Sequence, residues 1–140
     1  MTSKYGERES CYSHYEGKFN GIKLSIGKDL INKKESYESQ IDHVLEDSVT
    51  HEILEYCCND CFGDYVRESF ERKAKMLNRT DFINLLKISY IDSDVDGVEV
   101  GITITSEEYD YVLFRVYFDE ELEMMRDHLD MLWDCRDGEK

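Results

Sequence analysis

Gly97-Val98-Glu99-Val100-Gly101-Ile102-Thr103-Ile104-Thr105 decides the fold. Val98, Val100, Ile102 and Ile104 alternate with polar or small residues, which is the period of a strand with one buried and one polar face. Apolar runs flank it on both sides. Before it lies a strand-like run over 87–92 (Lys-Ile-Ser-Tyr-Ile-Asp), and after it another over 110–118, Asp-Tyr-Val-Leu-Phe-Arg-Val-Tyr-Phe. Asp96-Gly97 supplies a tight bend on one side and Ser106-Glu-Glu-Tyr109 a link of hairpin length on the other. The second half of the chain therefore reads as an antiparallel meander.

A second hairpin stands near the N-terminus. In Tyr15-Glu-Gly-Lys-Phe-Asn20-Gly21-Ile-Lys-Leu-Ser-Ile26 an Asn-Gly pair divides two short alternating runs, and both residues accept the positive φ of a type I′ turn. Phe19, Ile22, Leu24 and Ile26 are the apolar positions, and Gly27 breaks the run. From Glu35 to Leu77 the period becomes helical. Tyr37, Ile41, Val44 and Leu45 mark one helix with Ser36 as a candidate cap. Val49, Ile53, Leu54, Cys57 and Cys61 mark a second, capped by Ser48 or Thr50. Gly63 is expected to end that helix, with Asp64 capping a third that carries Val66, Phe70, Ala74 and Leu77. Asn78 or Thr80 starts one more short turn. Beyond Phe118, Leu122, Met125, Leu129, Leu132 and Trp133 fit a helical stripe capped by Asp119. The alternative is a turn at Asp119-Glu-Glu and a returning strand; periodicity favours the helix.

The fold class is then α+β: a mainly antiparallel sheet of about five strands, an N-terminal hairpin plus a C-terminal meander, with the helical segment packed on one face. One domain over 1–140 suits this length, with residues 1–13 polar and loose.

Charge is stacked at one end. Residues 92–140 hold 16 of the 32 acids and only four bases, Arg115, Arg126, Arg136 and Lys140, so they carry −12 of the total −15. Such a field attracts cations and repels anions. Nucleic acid is not expected as a direct ligand, because phosphate binding needs a basic surface, and an anionic membrane is disfavoured for the same reason. The N-terminus lacks a secretory apolar run and no stretch approaches the ~20 apolar residues that span a bilayer. The expected compartment is the cytoplasm, with the five cysteines reduced.

Three motifs bear on chemistry. Asp92-Ser-Asp94-Val-Asp96-Gly97 opens like a calcium loop, but position 12 is Thr103, position 8 is Glu99 and strands flank it, so it reads as a hairpin turn. Cys57-Cys58-Asn-Asp-Cys61 contains a Cys-x-x-Cys pair near His51, but lacks the second pair of a structural zinc site and lies inside a helical pattern, so it reads as packed thiols. His43 and His51 read as surface residues. No nucleophile elbow, phosphate-cradling loop or His-Glu-x-x-His is present. No catalytic residue, metal or cofactor is expected.

Glu16-Gly-Lys-Phe-Asn-Gly-Ile-Lys-Leu24, then helices, then Leu85-Leu-Lys-Ile88, and finally Tyr111-Val-Leu-Phe-Arg-Val-Tyr-Phe-Asp119 resemble a group of small acidic bacterial proteins of unknown function. Members share the Asn-Gly hairpin, the helical middle and a closing strand ending in Phe-Asp, and some occur near polymorphic-toxin loci. The resemblance covers about residues 15 to 125, and the longer tail departs from it. It implies an immunity role and supplies no catalytic residues.

The expectation is a non-enzymatic acidic protein that binds a basic protein partner, a nuclease-type toxin being the best electrostatic match, and occludes its active site. The expected contact residues are Asp92, Asp94, Asp96, Glu107, Glu108, Tyr109 and Asp110, with Glu120 and Glu121 next. Acids raise the association rate, and tyrosine anchors by combining area with a polar tip. The rival is a metal-dependent enzyme or regulator using Cys57–Cys61 with His51. A structural or oligomeric interaction protein is the third reading.

Overall fold

The computed structural model describes residues 5, 8–9, 14–73, 77–104, 112–124 and 130–131. Seven strands form one sheet in chain order: β1 Arg8–Glu9, β2 His14–Phe19, β3 Ile22–Gly27, β4 Leu86–Asp94, β5 Gly97–Ile104, β6 Val112–Phe118 and β7 Asp130–Met131. Five are full strands, and the two-residue β1 and β7 lie at the edges. All neighbours are antiparallel except β3 and β4, which run parallel with Lys23 opposite Tyr90 and Ile26 opposite Ser93. A parallel pair needs a crossover. Here it consists of α1 Lys28–Ile31, α2 Lys34–Leu45, α3 Asp47–Glu71 and α4 Arg79–Asn84. The expected α+β architecture holds, with this parallel seam joining the two antiparallel halves.

The Asn-Gly turn follows its local chemistry, whereas the second bend falls on Val95-Asp96 rather than the expected Asp96-Gly97, because Gly97 already opens β5 opposite Asp94. Asn20 and Gly21 both have positive φ, +49° and +83°, as the Asn-Gly reading requires. Asp94 pairs with Gly97 across the two-residue bend Val95-Asp96, so the calcium-like stretch is a hairpin turn.

The helices differ from expectation in several places, among them the start of α3 at Asp47, ahead of the expected Ser48 or Thr50 cap. α2 begins at Lys34 without a side-chain cap, so Ser36 does not cap it. α3 then runs through Gly63 for 25 residues, roughly 38 Å at the α-helical rise. Asp64 caps nothing; it pairs with Arg67 at 2.9 Å. The buried stripe of α3 is Ile53, Cys57, Cys61, Tyr65 and Ser69, spaced by four throughout, and this continuous burial outweighs the ~1 kcal/mol cost of a mid-helix glycine. Phe70, expected on the buried side, is 75% exposed. Asn78 does cap α4, its side chain accepting from the Asp81 N–H at 2.8 Å.

The tail is not the expected helix where it is described. Asp119 Oδ1 accepts from the N–H groups of Glu121 and Glu123, Leu122 takes φ +65°, and the chain turns back. Met124 then bridges Phe118, and Asp130–Met131 pair with Arg115 and Phe114. The N-terminal stretch is likewise not loose throughout. Tyr5 is buried, donates its hydroxyl to Asp42 and meets Phe19 edge-on at 5.1 Å, while β1 pairs with β2.

The core lies between the sheet and the helices. Leu24, Ile26, Ile91, Val98, Val100, Ile102, Phe114, Val116 and Phe118 face Tyr37, Ile41, Val44, Ile53 and Phe82. One polar tie crosses it: Ser93 donates its hydroxyl to the Gln40 side-chain oxygen, and the Gln40 amide donates to the Asp94 carbonyl at 3.1 Å. Among the described residues, no helix is long and apolar enough to cross a membrane.

Candidate functional site

Two turns build the site. The β4–β5 bend and the turn after β6 lie side by side at the end of the sheet where β3 and β4 finish. Gly97 is what lets them meet: its φ is +134°, and a Cβ there would stand 2.0 Å from the Phe118 carbonyl oxygen. The close approach gathers Asp94, Asp96, Asp119, Glu120 and Glu121 at one end of the molecule.

Within this group the carboxylates divide by role. Asp94 accepts from the Val95 N–H at 2.8 Å, and Asp119 holds the Glu121 and Glu123 N–H groups, so both stabilise turns. Asp96, Glu120 and Glu121 are exposed, and none of them has an ion-pair partner among the described residues. Their charge is left for an outside cation. Glu120, Val95 and Leu122 also line a groove of about 600 Å³ whose other wall is Leu30, Lys33 and the first turns of α2. Val95 is 41% exposed, giving the acidic rim an apolar centre.

Asp92 takes a different position. It stands on the sheet face opposite the helices, level with Glu99 of β5 and Ser25 of β3. His14 Nε2 lies 3.5 Å from Asp92 Oδ1 and 3.7 Å from Asp94 Oδ2. Burial pushes the Asp92 carboxyl above its ordinary range; His14 opposes this, and Glu99 and Asp94 reinforce it. Asp92 is thus a half-buried member of the sheet face rather than part of the exposed rim. Glu107, Glu108, Tyr109 and Asp110 lie outside the described residues.

The sheet face opposite the helices brings together residues that sequence reasoning did not assemble. Tyr90 donates its hydroxyl to Glu99, and its ring lies over Gly101, where a Cβ would meet Cε2 at 2.0 Å. Arg115 hydrogen-bonds Tyr117 and stands near Tyr90 and Glu99. Burial and the Glu99 contact raise the Tyr90 phenol well above its usual value. Period-two alternation names Glu99, Arg115 and Tyr117 as outward residues of their strands, whereas Tyr90 turns outward only because an irregularity between Ile88 and Tyr90 shifts the β4 register. Which of them become neighbours depends on the β4–β5 and β5–β6 registers, a tertiary property.

The cysteine region is not drawn into this site. Cys57, Cys58 and Cys61 are buried in α3, with Cys57 and Cys61 Sγ 3.7 Å apart. The Cys61 contact and burial push the Cys57 thiol up, away from the reactive thiolate. His51 is exposed and pairs with Glu55 at 3.1 Å, so it is not brought to the thiols. Among the described residues no group of three or more His, Cys, Asp or Glu is arranged to hold a metal ion.

No protein-family model, curated protein or solved structure matches this chain.

Proposed function

We propose that the protein is a non-enzymatic binding protein whose acidic sheet end covers a basic surface of a partner protein, and that the partner is a nuclease-type toxin whose cationic active site it occludes. The observation that carries this reading is the exposure of Asp96, Glu120 and Glu121, without cationic partners among the described residues, on the two turns that meet at Gly97, with Glu120 and Val95 lining a groove beside them. A phosphate-binding groove in a nuclease is cationic and concave, and a projecting acidic rim is its electrostatic complement. Glu107, Glu108, Tyr109 and Asp110 belong to the same proposed surface by sequence. The resemblance to small acidic proteins near toxin loci supports the choice of partner, and the reading places the protein in the bacterial cytoplasm beside its toxin. No catalytic group, metal or cofactor enters this function.

The test screens the products of the genes flanking this one for a basic C-terminal domain and follows nuclease inhibition and association kinetics with it. Replacing Asp96, Glu120 and Glu121 together by Lys is expected to slow association about tenfold or more at low ionic strength and to flatten its salt dependence. Inhibition and kinetics unchanged by the triple reversal would remove this surface from the interface. Absence of any binding to the neighbouring domain would remove the toxin reading itself.

A further inference from the structure

We infer that the sheet face opposite the helices carries a separate site for a small hydroxylated molecule with a dianionic head, built on Glu16, Lys18, Lys23, Ser25 and Tyr90. Lys18 and Lys23 are directly opposite across the β2–β3 hairpin and both are exposed. Like charges opposed in this way destabilise a hairpin. In a chain with 32 acids and 17 bases a carboxylate would be easily found, yet neither lysine has an ion-pair partner among the described residues. The two ammonium groups thus stand together, unneutralised, in an otherwise acidic molecule.

Beside them the sheet forms a depression of about 720 Å³, with the Gly17 and Leu24 positions flanked by Glu16, Ser25 and Tyr90. That volume is in the range of small-molecule sites. The Tyr90 wall is preset: its ring is seated on Gly101 and its hydroxyl is held by Glu99, so it needs no reordering to receive a ligand.

The side chains specify the ligand. Cβ atoms directly opposed across strands lie about 5 Å apart, so two ammonium groups can grip one phosphate or a pair of carboxylates. Glu16 is two residues from Lys18 on the same outward face of β2, about 7 Å along the strand. Its carboxylate repels a bare polyanion but accepts hydrogen bonds from hydroxyl groups, and Ser25 can donate or accept. A sugar phosphate satisfies all of these positions: phosphate on the lysines, hydroxyls on Glu16 and Ser25, and the ring against Tyr90. This site is independent of the partner-binding reading, because none of its residues belongs to the acidic rim.

The experiment is an amide-shift titration of the isotope-labelled protein with a hexose phosphate, inorganic phosphate, the unphosphorylated hexose and chloride, all at matched ionic strength. The hexose phosphate is expected to give saturable shifts around Lys18, Lys23 and Ser25 at millimolar concentration, inorganic phosphate weaker shifts at the same residues, and hexose and chloride none. The double variant Lys18→Gln/Lys23→Gln, exposed at both positions, should keep or slightly raise its melting temperature and bind the hexose phosphate about tenfold more weakly. Glu16→Gln should weaken the hexose phosphate without weakening inorganic phosphate. Equal affinity for the two phosphates would overturn the hydroxylated-ligand assignment. Absence of saturable shifts, or shifts that persist in the double variant, would overturn the site.

Discussion

Gly97 meets two demands at once. Its φ of +134° lies where L-residues are strained, and the Phe118 carbonyl occupies the space of any side chain. Backbone cannot swing aside as a side-chain tip can. Gly97→Ala is therefore expected to cost about 3 kcal/mol or more in chemical denaturation and to splay the two acidic turns apart. Asp92 gives a prediction of opposite sign. A carboxyl that holds its proton more tightly folded than unfolded subtracts stability as pH rises through the interval above its unfolded value of 3.8. The penalty is absent below that interval and grows as the pH rises through it. Asp92→Asn should thus raise the thermal midpoint at neutral pH, with the difference shrinking as the pH falls toward about 4. A midpoint difference that grows on acidification would contradict this account.

Helix α3 shows how a local signal loses to packing. Gly63 is exposed, its φ lies outside the left-handed region, and a Cβ there would meet nothing within 4 Å. Gly63→Ala should consequently stabilise the protein by about 0.5–1 kcal/mol, measured by urea denaturation. Had Gly63 ended the helix, alanine there would destabilise. The elements legible in the sequence were those whose local chemistry has one solution. Asn20-Gly21 and the alternation from Val98 to Ile104 stand as read, and of the two caps offered for α4, Asn78 and Thr80, Asn78 is the one used. Gly63 and Asp119 each have two solutions. A glycine followed by aspartate serves a helix break or an exposed helical turn, and an aspartate side chain holds free N–H groups equally well at a helix start or in the turn that Asp119 forms. Of the candidate site, the hairpin carrying Asp94 and Asp96 was legible in the same way. The meeting of that hairpin with Glu120 and Glu121 was not, since it depends on the close approach at Gly97. The grouping of Asp92 with His14 was hidden as well, because it follows from the parallel register.

Across the whole molecule, that parallel seam has a kinetic consequence. The β2–β3 hairpin and the β4–β5–β6 meander can each close through short turns, but Leu24 reaches Ile91 only after the entire helical stretch has been placed. Closing so long a connection carries a large entropy cost before any contact repays it. The seam is then the last part of the sheet to zip. Ile26→Val and Ile91→Val, both fully buried at the seam, should chiefly speed unfolding, with φ-values near zero. Val100→Ala, in the meander, should slow folding instead; stopped-flow chevrons distinguish the two patterns. Because the last strands to join are also those that level Asp92 with Ser25 and bring Tyr90 beside Lys23, the sheet face opposite the helices is completed only at the final step of folding, and a chain arrested before it would carry its acidic turns but lack the depression at Lys18 and Lys23.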